Sequence, residues 1–161
     1  MTFVGRIAVV TGGANGIGAA CCQMLAARGA RVVVADLDRA RAEALAAKLG
    51  GLALALDVST RDANEAAAAE VETRLGPVDL LVTSAGIIQR PVRADAMSEA
   101  DIEQVVRVDQ IGTFHSAVAF GTRMARRGRG AIVTIASIAG MRSMPLHAYA
   151  PAKAAVIEMT R

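Results

Sequence analysis

Residues Arg6 to Gly18 read RIAVVTGGANGIG, a short apolar run that passes directly into a glycine-rich turn. The run does not alternate apolar with polar side chains, which predicts a strand covered on both faces, as in a parallel sheet. In the turn that follows, backbone N–H groups can approach an anion such as a pyrophosphate, and the N-terminus of the next helix adds partial positive charge. The turn has the pattern T-G-x-x-x-G-x-G, with glycines at 12, 16 and 18, and not the more general G-x-G-x-x-G. Gly12, Asn15, Gly16, Ile17 and Gly18 are therefore the first candidates for contact with a dinucleotide. A glycine turn without a ligand is the alternative, and the position of this one between the first strand and a helix weighs against it.

Further along, apolar runs of similar length recur at Arg31–Ala35, Leu52–Leu56, Asp79–Val82 and Ala131–Ala136. Helical stretches separate them at about 15–28, 38–49, 60–75 and 98–127, and a last one runs from Ala148 to Arg161. The punctuation agrees. Asp38 can cap the second helix and Gly50 can end it; Ser98 with Asp101 resembles a capping box; Gly76-Pro77 and Gly128-Arg129-Gly130 break what precedes them. Such alternation predicts an α/β fold, a Rossmann-type doubly wound parallel sheet with right-handed crossovers. The usual dinucleotide-binding sheet has six strands, and five are visible in this sequence. The expectation is a single dinucleotide-binding domain over residues 1–161 that lacks its C-terminal strands, with Ala131–Ala136 left as an open edge.

Composition narrows the classes. Apolar residues are 53% of the 161 and charged residues 20%, which suits a packed core and argues against disorder. Aromatics are only 2% while alanine fills 35 positions, so helices and sheet must meet through small aliphatic groups. The net charge is +3, and 16 of the 18 basic residues are scattered arginines, which argues against a nucleic-acid partner. The basic run Arg123–Arg129 reads as a solvated helix end whose cations complement the macrodipole. Cys21 and Cys22 are adjacent and cannot staple a loop. Cys21 is expected to pack on the inner side of its helix. No run reaches the roughly 18 apolar residues of a membrane span, and Arg6 with Gly12-Gly13 interrupts any signal-peptide pattern. A soluble, cytoplasmic protein is expected. His115 and His147 lack the companions a metal site needs, and no metal is expected.

Asp36 follows the second strand eighteen residues beyond Gly18, roughly where an acid accepts the adenosine ribose hydroxyls of a dinucleotide. A carboxylate there repels a 2′-phosphate, and no Lys or Arg lies within Gly12–Gly18, so NAD is favoured over NADP. Starting the turn at Leu37-Asp38 is the plainer role for Asp36. Asp57, followed by Val58, ends the third strand and is placed to contact the adenine; helix capping near Ser59 is its alternative. Tyr149 and Lys153 stand at i and i+4 on one face of the last helix. A free phenol gives up its proton only near pH 10 or so, and an ammonium within about 4–6 Å favours the phenolate. Such a tyrosine can take a proton from an alcohol as hydride leaves, or return it in reduction. Ser137, at the end of the fifth strand, is placed to hold the same oxygen. A Tyr and a Lys four apart on a helix also arise by chance.

Together these motifs resemble the short-chain dehydrogenase/reductase family over essentially the whole chain. Thr11–Gly18, Asp57-Val58, Thr83-Ser84-Ala85-Gly86, Ser137-x-x-Gly140 and Tyr149-x-x-x-Lys153 stand in the family's order. The resemblance implies an NAD(P)-dependent oxidoreductase acting on a small-molecule alcohol or carbonyl. Under it Tyr149 is the general acid/base, Lys153 binds the nicotinamide ribose and assists loss of the Tyr proton, and Ser137 orients the substrate oxygen. Ser84, Ala85 and Gly86 would border the cofactor. Homo-oligomers, dimer or tetramer, are also implied, through the long helix and the Tyr-bearing one. The outward row Val108, Ile111 and Val118 suits such a surface. There are three departures. Ser84 stands where members usually carry Asn. Ser137 precedes Tyr149 by twelve residues. Asp109, within Val108-Asp109-Gln110-Ile111-Gly112, takes the place of a helix Asn whose carbonyl relays water beside the catalytic Lys.

Asp109 is conspicuous without the resemblance. It lies in the apolar stripe Ile102, Val105, Val106, Thr113, Ala117, Phe120 and Met124, and a lone carboxylate on a buried face is costly unless paired. Its expected partner is Lys153, directly or through a water, which would offset part of the Lys charge. Capping a kink at Gly112 is the alternative. Met141–Leu146, which joins Ser137 to Tyr149, is expected to border the reaction pocket. The leading reading is hydride transfer between NAD(H) and a secondary alcohol, polyol or matching ketone. A non-catalytic nucleotide-binding fragment or interaction module is the rival, motivated by the missing strands. A methyltransferase with a similar glycine loop would leave Ser137, Tyr149 and Lys153 unexplained.

Overall fold

The computed structural model describes residues Thr2 to Thr160, so the end expected for the last helix at Arg161 lies outside the described residues. Strands β1 (Ile7–Thr11), β2 (Arg31–Asp36), β3 (Leu52–Ala55), β4 (Leu80–Thr83) and β5 (Ala131–Thr134) form one parallel sheet in the order β3-β2-β1-β4-β5. Between them run α1 (Gly16–Ala27), α2 (Arg39–Leu49), α3 (Arg61–Arg74), α4 (Glu99–Val105) and α5 (Gly112–Arg126), with α6 (Tyr149–Glu158) after β5. Strand order reverses between β1 and β4, which places a crevice at the carboxyl ends of those two strands.

The unbroken apolar runs have a direct cause. Ile7 and Val9 of β1 face one side with Val33, Leu54 and Leu81, where α3 and α5 cover them through Ala67, Ala68, Val71, Ala119, Phe120 and Met124. Ala8 and Val10 face the other side with Val32, Val34 and Val82, under Cys22, Leu25, Ala42 and Ala46 of α1 and α2. With both faces buried, the central positions of β1 and β2 are apolar, and polar residues such as Thr11, Arg31 and Asp36 fall at the strand ends. The inward cysteine is Cys22, one residue on from the expected Cys21, which is half-buried. Burial pushes the Cys22 thiol up to about 12, so it serves as a packing group and not as a nucleophile.

The expected caps form: Asp38 accepts the Arg41 N–H at 3.0 Å, Ser98 Oγ accepts the Asp101 N–H at 3.1 Å, and Gly50 ends α2 at φ +61°. The long helix expected over 98–127 is not uniform. A π-helical segment, Val106–Ile111, joins α4 to α5. A constant 3.6-residue period cannot carry one face across such a segment. Ile102, assigned to the buried row by that period, is 41% exposed, whereas Asp109, Thr113, Ser116 and Ala119 point inward. The Ser116 hydroxyl donates to Asn64 Oδ1 at 2.7 Å, and the Asn64 amide donates to the Val58 and Thr60 carbonyls, a fully partnered buried link between α3 and α5.

The basic run also differs from expectation. Arg123 pairs with Glu65 and Glu72 of α3 at 2.7 and 3.4 Å, and Arg127 pairs with Glu72 at 3.0 Å. Those acids lie across the layer, which the run's own sequence does not reveal. Arg129 reaches Asp79, which is 6% exposed and also accepts from Arg6 and the Ile7 N–H, both at 3.1 Å. One carboxylate thus ties the start of β1 to the segments entering β4 and β5. Burial raises the Asp79 carboxyl, but Arg129, the Ile7 N–H and Arg6 together hold it below the usual carboxylate range. At the opposite edge from β3, β5 is the outer strand and leaves Val133 56% exposed.

Replacing Asp79 by Asn should cost about 2 kcal/mol at neutral pH, because it weakens charge-assisted bonds to two arginines. The native carboxyl holds its proton less tightly than the unfolded one. The wild-type advantage is therefore full above the unfolded value of about 3.9 and is lost as pH falls through the lower native value. Denaturant unfolding of Asp79→Asn and wild type at neutral and strongly acidic pH checks this; an unchanged gap contradicts it.

Candidate active site

A crevice of about 400 Å³ opens at the carboxyl ends of the strands, with Gly12, Asn15, Ile17 and Asp36 on one wall and Tyr149 and Lys153 on another. Gly12 sets its floor. The residue has φ +61°, and a Cβ there would lie 2.6 Å from Ala85 Cα, so the loops after β1 and β4 meet backbone to backbone. No side chain but hydrogen fits that approach. Helix α1 begins at Gly16. Its N-cap, Asn15, makes no side-chain capping bond, and its first turn carries no acid. The initial N–H groups and their partial positive charge are thus left for an anion in the crevice. Gly16 and Gly18 shape this first turn without lining the crevice.

Asp36 starts the turn, the plainer of its two readings, and also borders the crevice. Its Oδ2 accepts the Ala14 N–H at 2.9 Å and its Oδ1 the Asp38 N–H at 3.0 Å, which fixes the carboxylate while it still borders the crevice. The nearest cations along α2 are engaged elsewhere: Arg39 with Glu43 at 2.7 Å and Arg41 with Asp38 at 3.1 Å. Asp57 and Val58 also border the crevice, and Asp57 Oδ1 accepts the Ser59 N–H at 2.9 Å, the turn its alternative reading describes. Ser84, Ala85 and Gly86 close the wall beneath Tyr149.

Lys153 lies one helical turn beyond Tyr149, with Nζ 5.6 Å from the ring centroid. Its ammonium is 4% exposed and has two partners in the chain: the Ile135 carbonyl at 3.0 Å and Asp109 Oδ2 at 3.1 Å. Asp109 is fully buried, and its Oδ1 accepts the Ile87 N–H at 2.8 Å. Burial pushes the Asp109 carboxyl up, and the Ile87 N–H and the Lys153 ammonium oppose that rise. Gly86 makes room for the pair: a Cβ there would lie 2.9 Å from Asp109 Oδ2 and 3.3 Å from Lys153 Nζ. The Ile135 carbonyl takes one of the three ammonium donors and Asp109 Oδ2 is an ion-pair contact, so donor capacity remains for a ligand.

Besides Gly16 and Gly18, two more expected residues stand back from this crevice. Asp109 meets it only through Lys153. Ser137 is not on its walls; its Oγ accepts the Ala139 N–H at 3.1 Å and starts the 3₁₀ turn Ile138–Gly140. Met141 to Met144 and Leu146 line a neighbouring cavity of about 420 Å³. Sequence reasoning did not anticipate Gln89, which is buried; its Oε1 accepts the Tyr149 N–H at 3.2 Å, while Nε2 has no partner among the described residues. Nor did it find Ile87 and Ile135, whose backbone groups do the work and leave no residue-type signature. Among the described residues no three His, Cys, Asp or Glu side chains gather as a metal site. No helix there is long and apolar enough to cross a membrane.

Known proteins resemble this chain in sequence and fold. The chain is 39% identical to D-threitol dehydrogenase of Mycolicibacterium smegmatis over 98% of its own length and 62% of that protein. It is also 39% identical to a galactitol 2-dehydrogenase (L-tagatose-forming) of Cereibacter sphaeroides, with 98% and 63% covered. A crystal structure described as a ribose-5-phosphate isomerase from Brucella melitensis superposes with a TM-score of 0.96 at 49% identity, over 98% of this chain and 62% of that one. The structure of gox2181 does so with a TM-score of 0.95 at 34% identity, over 98% and 65%. The chain therefore spans under two thirds of the length of these proteins. The family model for short chain dehydrogenase matches residues 6–161, from the residue before β1 onward, and the chain belongs to that family.

Proposed function

We propose that the protein is an NAD-preferring oxidoreductase that interconverts a secondary alcohol or polyol and the matching ketone, with Tyr149 as general acid/base. The carrying observation is that Tyr149 and Lys153 share one crevice with the glycine loop and Asp36. Its residues fit an extended dinucleotide. The uncapped start of α1 suits a pyrophosphate, Asp36 suits adenosine ribose hydroxyls, and the remaining Lys153 donor suits the second ribose. A bound nicotinamide would supply or accept the hydride. The Tyr149 hydroxyl would move the proton to or from the substrate oxygen. Ser137, whose Oγ accepts from Ala139, keeps its own proton free to donate to that oxygen. Polyols are favoured because relatives named for threitol and galactitol oxidation align over nearly the whole chain. Of the row expected at Val108, Ile111 and Val118, Val108 packs against the core and borders the crevice and Val118 is half-buried, so copies would associate through Ile111, 38% exposed, with Phe114 beside it, 53% exposed.

Titrating NAD and then assaying threitol, galactitol and other secondary alcohols, with ribose 5-phosphate as an isomerase control, tests this reading. The expected result is NAD-dependent polyol oxidation. Tyr149→Phe should lower kcat by about 10²–10⁴-fold and leave NAD affinity nearly unchanged. Binding without turnover would favour a nucleotide-binding module instead, and no binding would exclude both.

Asp36→Ser removes the charge that faces an incoming 2′-phosphate. NADP affinity relative to NAD should rise by on the order of tenfold, equivalent to about 1.4 kcal/mol. An unchanged ratio in a binding titration would contradict the role given to Asp36.

A further inference from the structure

Resting on that reading of Tyr149, we propose that Asp109 is a positioning residue which holds Lys153 as half of a buried, electrically neutral pair, so that the phenol faces a screened cation instead of a full one. The geometry favours a carboxylate. Two donors converge on Asp109 from different parts of the chain, the Ile87 N–H at 2.8 Å on Oδ1 and the Lys153 ammonium at 3.1 Å on Oδ2. An asparagine side chain has one acceptor oxygen and would present a donor to one of these two donors. Asp109 thus both places the ammonium and offsets it.

Helix α4, which packs against Tyr149 through Val105, carries Glu99, Asp101 and Glu103, all exposed, and Arg90 and Arg142 on the adjoining loops are exposed as well. The π segment carries Arg107, which is exposed, and Asp109. Ile138–Gly140 and Ser84–Gln89 carry none. On the Tyr149 helix itself stand Lys153 and, at its far end, Glu158, with exposed His147 just before it. Asp36 and Asp57 lie across the crevice. Among these, Asp109 is the carboxylate in contact with Lys153. Deleting its charge leaves the ammonium unscreened, and a nearby unscreened cation favours phenolate over phenol.

The composition makes a direct test possible. The chain contains one tyrosine and no tryptophan, so the near-ultraviolet phenolate band reports Tyr149 alone, without cofactor or turnover. Spectrophotometric pH titration of Asp109→Asn should place the midpoint lower than in wild type by on the order of one pH unit. The titration is read over the range in which far-ultraviolet circular dichroism stays native. Asp109→Ser deletes the same charge without the misdirected amide, and a midpoint moved down in it would equally support the proposal, including where the Asn variant does not fold. Midpoints unchanged or raised in the folded variants would overturn it. In parallel, the alkaline limb of kcat/KM for polyol oxidation should move with the phenol. A lowered midpoint in a protein that turns over no alcohol would support the pair and remove the oxidoreductase reading, which keeps the two failures distinct.

Discussion

A buried ammonium cannot stand alone. Lys153 is almost entirely withdrawn from water, and transferring an unpaired charge to such a place would cost several kcal/mol. Its two partners come from separate parts of the chain, a carboxylate on the π segment and a carbonyl just after β5, while the aromatic ring one turn back on its own helix lies 5.6 Å away. Satisfying this one group therefore fixes where the long helix, the outer strand and the tyrosine-bearing helix stand relative to each other. The two remaining constraints are steric. Gly86 leaves space for the pair, and Gly12 lets the loop after β1 lie against the loop after β4. The crevice follows from these contacts and the reversal of strand order.

The opposite end of the sheet is organised around a charge of the other sign. Asp79 gathers Arg6, Arg129 and the Ile7 N–H where the strands begin. Arg123 and Arg127 clamp α5 to the acids of α3. These ion pairs between separate elements thus lie toward the amino ends of the strands, and the groups proposed for chemistry lie at the carboxyl ends. This separation explains how an arginine-rich segment serves the scaffold and adds nothing to the crevice. The alanine-rich helices complete the arrangement, since small side chains such as Ala42, Ala46, Ala67 and Ala68 let them sit close on the sheet.

Features governed by local rules were legible in the sequence. The five strands followed from unbroken apolar runs, the caps at Asp38 and Ser98 from short polar side chains at helix starts, and the crevice loop from Gly12 in its strand-to-helix setting. The need for a partner at Asp109 was legible too, because a carboxylate in an apolar stripe requires one. What escaped was non-local or carried by backbone. The π segment breaks the period on which the stripe was drawn, so Ile102 turns outward and Ser116 inward. Asn64 finds Ser116 across 52 positions of sequence, and Gln89 meets the Tyr149 N–H across 60. Carbonyl and amide groups at Ile135 and Ile87 could belong to any residue type.

The proposed placement of Lys153 beside a bound dinucleotide admits a direct measurement, because the chain has only two lysines, Lys48 on α2 and Lys153 on α6. In protein labelled with ¹³C at the lysine ε-carbon, added NAD should move the Lys153 resonance and leave that of Lys48 in place. Movement of Lys48 alone, or of neither resonance at saturating NAD, would contradict the placement of the ammonium beside the bound cofactor.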